Sequence, residues 1–197
     1  MKLNLVLSVS LDDEMESDVP VEPITLQEAK DWLKISVSDD DDLIIELITA
    51  ARQQCEHYLN ISLIQRTVHA QLQNQIGGIE LPYGPVNDII EIKDQDGNEI
   101  TDYTLSGINF KTLNDSNTGN PTPQNNFYTP SNSYVDITYS AGYERLPKHF
   151  KTAILKQVAF LYQNRGDETI NAVSNVLAAD QLSPVVLLQL KPYRRVV

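Results

Sequence analysis

Four consecutive aspartates, Asp39 to Asp42, three histidines, His57, His69 and His149, and a single cysteine, Cys55, are the residues whose types invite chemistry. Asp94, Asp96 and Asn98 add a spacing reminiscent of a cation loop. A metal centre needs several such groups converging on one point, and general acid–base catalysis needs a titratable side chain beside a nucleophile. The histidines fall on three different predicted elements, which argues for surface or partly buried roles. The calcium-loop comparison fails, because the position requiring glycine holds Glu99 and the one requiring a bidentate glutamate holds Leu105. A hairpin turn accounts for the same residues. Consecutive aspartates at a helix start diverge around its axis, so one ion would engage only some of Asp39 to Asp42. Compensation of the helix dipole and solubility explain the run instead. There is no nucleophile elbow, no phosphate-binding glycine loop and no HExxH pair. We therefore expect no enzyme, no cofactor and no metal.

Positive charge concentrates at one place in this acidic chain, the end Lys191, Tyr193, Arg194 and Arg195. One reading is a solvated helix end whose cations suit the C-terminal dipole. The other is an anchor, because Tyr and Arg are enriched where interfaces carry most of their energy. The residue types leave both open.

The elements that must position these groups begin with Thr25 to Leu59. Thr25 and Glu28 have the spacing of a capping box, and Leu26, Ala29, Lys30 and Leu33 share one face with Trp32 beside them, so a short helix ends near Lys34. A second helix follows the aspartates. Leu43, Ile44, Leu47, Ile48, Ala51, Cys55, Tyr58 and Leu59 give it an apolar stripe, and Asn60 ends it. Cys55 lies on that stripe as a small buried hydrophobe, and one cysteine excludes an intrachain disulfide and fits a reducing compartment.

Alternation then predicts strands over 65–72, 79–81, 86–93 and 134–139, with a turn at Gly77 and Gly78 and the last strand closing at Gly142. Ile90 and Ile92 are expected on one face, and the Asp96–Gly97 turn should join 89–93 to 99–105 as a hairpin. From Ser106 to Ser133 the chain reads as one long polar loop whose tip, about 114–126, is a mobile and contact-forming segment. Pro147 opens a third helix with Phe150, Ile154, Val158 and Leu161 inward, Lys148, Lys151, Lys156 and Gln157 mostly outward, and Gly166 as terminator. Ser183 and Pro184 open a short last helix, 185–190.

The fold class is thus α+β: three or four helices in a small bundle, with a small, mostly antiparallel sheet inserted between the second and third. We expect an N-terminal arm and acidic linker over 1–23 and one domain over 24–197. The arm alternates Leu3, Leu5, Leu7 and Val9 against Asn4, Val6, Ser8 and Ser10, which suits a strand paired with its own domain or with a neighbouring copy. It lacks the pattern of a signal peptide, and no stretch approaches the roughly 20 apolar residues of a membrane helix. With 197 residues, 41% hydrophobic, the chain suits one real core, and a net charge of -12 disfavours non-specific nucleic-acid binding.

The ordered segments PVEPITLQEAKDWLKI, DDDDLIIELITAARQQCEHYLN, ELPYGPVNDIIEIKDQDGNEI, VDITYSAGYERLPKHFKTAILKQVAFLYQNRGD and LLQLKPYRR together resemble the head-tail connector (adaptor) proteins of tailed bacteriophages and prophages. The resemblance runs from about Pro20 to Arg195; the N-terminal arm and a longer Asn-rich loop depart from the usual pattern. It implies a non-enzymatic virion protein, a helical bundle with a small sheet, commonly assembled as a ring of twelve copies under the portal. Such a ring extends the DNA channel, passes DNA without specific binding, and docks the next neck stopper or tail protein. Assembly in the bacterial host cytoplasm, with no membrane partner, is implied as well. The portal would take the tail Lys191, Tyr193, Arg194 and Arg195, and Asp39 to Asp42 would meet a ring neighbour or face the channel. A neck stopper or tail-completion protein is the alternative within the same system. An acidic DNA mimic is the alternative of another class, for which the carboxylates cluster too much at a helix start and in turns.

Overall fold

In the computed structural model, which describes residues 4–12, 22–74, 79–108, 111–115, 134–165 and 182–195, the chain is α+β and divides into two compact units. One, the sheet unit, comprises Met1–Pro20 and Gln65–Glu144; the other, the helical unit, comprises Val21–Ile64 and Arg145–Val197. The turn at Gly77 and Gly78, the terminator Gly166, the linker 13–21 and the loop tip beyond Asp115 lie outside the described residues. Among the described residues no helix is long and apolar enough to cross a membrane.

Local signals set the helices. Helix α1 (Leu26–Leu33) starts at the expected capping box: Glu28 N–H donates to Thr25 Oγ1 at 3.2 Å, and Thr25 N–H donates to Glu28 Oε2 at 3.0 Å. Lys34, at φ 62°, closes it in the left-handed conformation. Helix α2 (Asp41–Leu59) ends at Asn60, φ 54°, a residue type that tolerates this region through its short polar side chain. Ile44, Ile48, Ala51, Cys55 and Leu59 are buried and α2 packs against α3 (Lys148–Gln163), whose Phe150, Ala153, Ile154 and Val158 are likewise buried. Ser183 caps α4 (Pro184–Leu190) by accepting from Val186 N–H, and a 3-10 turn over Lys191–Tyr193 follows. Two expectations for this unit need correction. Gln157 is completely buried, because its side chain is bonded on both sides, and the α2 stripe contains Arg52 and Glu56, also buried.

In the sheet unit, β1 (Asn4–Asp12) pairs antiparallel with β2 (Arg66–Asn74), so the N-terminal strand joins its own chain. The four-stranded sheet has the order β1-β2-β7-β4, with β4 over Val86–Asp94 and β7 over Val135–Ala141. A second sheet, β3-β6-β5, comprises Ile79–Glu80, Thr112–Asp115 and Tyr103–Ser106. Strand β6 thus lies inside the stretch expected to be loop. The hairpin after β4 is confined to its turn. Asp94 N–H donates to Asn98 O and Ile100 N–H to Ile92 O, after which β5 leaves to pair with β6. Ile90 and Ile92 do not share a face: Ile92 is buried and Ile90 is 58% exposed, because register shifts flank Ile89 and break the two-residue period. On β7 the expected alternation holds, with Val135, Ile137, Tyr139 and Ala141 buried against Val68, Leu72, Ile79, Leu113 and Ile92.

Candidate functional site

The four aspartates at the start of α2 split into two pairs. Asp40 accepts a hydrogen bond from the Tyr162 hydroxyl of α3, and Asp41 accepts from Lys30 Nζ of α1 at 2.5 Å. The bond to Asp40, followed by partial burial, raises the Tyr162 phenol above its usual range, against the opposing pull of Arg165, whose guanidinium lies 4.1 Å from the ring centre. Asp39 and Asp42 are exposed. No side chain of the run caps α2; Asp41 and Asp42 lie in its first turn, where they oppose the helix dipole, and Asp40 and Asp41 cross-link three helices. Glu28 extends this clamp by accepting from Lys151 Nζ at 2.6 Å, a bond that holds its carboxyl below the usual carboxylate range.

The basic end also divides. Tyr193 stacks on His149 at 4.5 Å between ring centres and meets Phe150 edge-on at 5.4 Å. Arg194 lies over the Tyr58 ring at 4.8 Å. Arg195 is buried, with its N–H donating to Leu59 O at 3.1 Å and its carbonyl accepting from Asn60 Nδ2 at 3.1 Å. Arg195 thus fastens the chain end to the end of α2, and Lys191, Tyr193 and Arg194 are the members of the set that face solvent.

A buried polar network behind these surfaces escaped the sequence reading. Arg52, fully buried, donates through Nε and Nη2 to Glu22 at 2.9–3.1 Å and through Nη1 to Glu56 at 2.7 Å. Glu56 accepts in turn from Leu63 N–H at 2.6 Å, and Glu22 from Thr49 Oγ1 at 2.9 Å. Burial by itself disfavours the guanidinium charge, but the bonds it donates to Glu22 and the charge of Glu56 outweigh that and raise its pKa. The available signal was spacing: Ile44, Ile48, Arg52 and Glu56 form one four-residue ladder, so Arg52 and Glu56 had to follow the isoleucines inward. Gln157 bridges similarly, donating to Gln54 Oε1 at 2.8 Å and accepting from Ser183 N–H at 2.9 Å.

The histidines, Asp94 and Cys55 remain apart in role. His57 is exposed on α2, His69 Nδ1 lies 2.9 Å from Thr138 Oγ1 in the sheet, and the His149 ring is occupied by its stack with Tyr193. Asp94 spends its carboxylate on its own turn, accepting from the N–H groups of Asp96 and Asn98 and from Asn98 Nδ2, and these bonds lower its pKa. Burial and the charge of Glu56 push the Cys55 thiol up to about 12, which makes it a poor nucleophile. Among the described residues no group of three or more His, Cys, Asp or Glu converges on one point. What the helical unit does present is exposed apolar surface: Trp32, Val37 and Ile45 around α1 and α2, and Val185, Leu188 and Tyr193 at the other chain end.

Residues 22–196 match the family model described as head completion protein. No curated protein matches the sequence significantly. Among solved structures, the chain is similar to one in the neck of an empty gene transfer agent particle computed with C6 symmetry, at TM-score 0.68 and 18% identity over 97% of either chain. A chain in the virion of the native gene transfer agent particle superposes at TM-score 0.67 with 17% identity, again over 97% of either chain. A third, in the neck of the native particle computed with C12 symmetry, gives 0.63 and 18% over 95% of this chain and 96% of that one. At such identities the likeness to these structures concerns the fold.

Proposed function

The chain belongs to the head completion protein family, and on that premise we propose that it is a structural protein of the head-tail neck of a phage-like virion. The family is a structural one, so the chain is not an enzyme. The match over residues 22–196 carries the reading, since it spans both the helical unit and nearly all of the sheet unit's strands. In this role the protein assembles, as twelve copies in the host cytoplasm, into a ring under the portal. The ring prolongs the DNA channel and receives the next neck or tail component. The net charge of -12 per chain supports passage of DNA without adhesion, because fixed carboxylates offer the phosphates no counterion release.

The portal contact uses the solvent-facing chain end, Lys191, Tyr193 and Arg194, with Arg195 holding that end in place. The ring and channel surfaces include Asp39 and Asp42, whereas Asp40 and Asp41 serve the helix clamp. Truncation from Lys191 would also remove the Arg195 tether, so the test is the double charge reversal Lys191→Glu/Arg194→Glu. The expected result is loss of binding to purified portal rings with an unchanged melting temperature. Undiminished portal binding would remove the tail from the interface. Capture by a tail or stopper protein in place of the portal would move the chain one ring further down the neck.

A further inference from the structure

The helical unit is electrically lopsided. Residues 21–64 contain nine acidic and three basic side chains, whereas 145–197 contain eight basic and three acidic, and those three acids, Asp167, Glu168 and Asp180, lie outside the described residues. Part of this opposition is used internally, by Lys30 with Asp41, by Arg52 with Glu22 and Glu56, and by Lys151 with Glu28. The exposed charge left over is mainly of one sign on each part: Asp31, Asp39, Asp42 and Glu46 on α1, α2 and their connection, against the one exposed cation Lys34 among its described residues, and Arg145, Lys148, Lys191 and Arg194 on the other.

Exposed apolar side chains accompany each set of charges. On α2, Ile45 is 48% exposed and shares its outward face with Asp42 and Glu46, while on α1 Trp32, 45% exposed, follows exposed Asp31. On α4, Val185 and Leu188 are 59% and 74% exposed and stand three residues apart, and exposed Lys191 continues the same spacing. A leucine left three-quarters in water one turn before exposed Lys191, and an isoleucine half in water between acidic positions, are the kind of surface that marks a contact. A ring requires a heterologous contact, two different faces that fit one another. Pairing either face with itself would set like charges together, whereas pairing one with the other joins opposite charges around apolar centres.

We infer that the occupant of each face is a second copy of this chain: the basic, apolar outer face of α4 on one copy seats against the acidic, apolar outer face of α1 and α2 on the next. The inference rests on the ring reading above and names the surfaces that would close the ring. Val185 and Leu188 are the apolar centre of this contact and lie outside the portal set; Lys191 and Arg194 border both surfaces, so variants that keep those two cations test the ring contact by itself.

Two exposed-site variants separate the faces, Trp32→Ser/Ile45→Ser on one and Val185→Ser/Leu188→Ser on the other. Sedimentation velocity over a concentration series, with and without portal rings, gives the readout. Wild-type chains are expected to rise above the single-chain mass of 22.2 kDa with concentration, and less so in high salt. Each variant alone associates about a hundredfold or more weakly and keeps the wild-type melting temperature. An equimolar mixture of the two gives a one-to-one dimer and nothing larger, because it contains one intact pair of faces. Variant chains that assemble like the wild type, or a mixture that yields no dimer, overturn the assignment of faces and leave the ring reading standing. Wild-type chains that stay single at every concentration, alone and with portal, overturn the ring reading itself.

Discussion

Arg52 in the helical unit is wholly buried between two carboxylates, whereas the core cluster of the sheet unit, which includes Val68, Leu72, Ile92 and Ile137, holds no charged residue, although Arg66 is buried elsewhere in that unit. The two units therefore fail differently. Apolar packing loses stability in proportion to the volume removed, since neighbours relax partway into the gap. A buried ion network loses it abruptly, since deleting one member leaves another charge without a partner. The directional network sits in the unit whose outer faces are proposed to meet other proteins. Glu22, next to the linker, and Glu56, bonded to Leu63 N–H, tie both ends of the α1–α2 segment to one guanidinium.

Removing that guanidinium should have the largest effect. Arg52→Ala is expected to destabilise the helical unit by roughly 3–5 kcal/mol, and replacing Glu22, Arg52 and Glu56 together by apolar residues of similar volume should restore most of it. The chain's one tryptophan, Trp32, lies in the helical unit, so its fluorescence in a urea titration reports that loss.

Alkaline pH separates the units next. Cys55 has an ordinary pKa of 9.0 that burial raises to about 12, so between these values the unfolded chain releases a proton that the folded chain keeps. Its contribution to stability is complete below pH 9.0 and declines as pH rises toward 12. About 1.4 kcal/mol should be lost by pH 10, and Cys55→Ala should flatten that slope in denaturant titrations at stepped pH.

Loss of the α1 cap comes third. Thr25→Ala deletes one half of the capping box and should cost roughly 0.5–2 kcal/mol, read as a lowered melting temperature. Smallest is Ile137→Val in the sheet unit, roughly 0.5–1.5 kcal/mol, seen as a modest midpoint shift with an unchanged urea slope. A collapse there as abrupt as that of Arg52→Ala would erase the contrast between the units.

What could be read in advance follows the same division between local and distant causes. The capping box, the Asn60 stop, the Ser183 cap and the alternation of β7 depend on neighbours a few residues away, and the structure has them where the residue pattern puts them. Arg52 finds Glu22 thirty residues back, and Gln157 finds Gln54 over a hundred residues back, so a helical wheel can turn these side chains inward but cannot name their partners. Strand β5 leaves its turn partner for β6, and the bulge beside Ile89 turns Ile90 outward, outcomes decided by strands far apart in the chain. At the candidate site, the run Asp39 to Asp42 was legible as a helix start. Its division into engaged and exposed pairs depends on Lys30 and on Tyr162, and the burial of Arg195 depends on Leu59 and Asn60.

Whether the chain forms a ring of the neck can be read from the native mass of the chain mixed with purified portal rings. A ring of twelve gives one discrete complex heavier than the portal by twelve chains of 22.2 kDa. A portal mass left unchanged at saturating chain, or a gain that varies continuously with concentration, would contradict it.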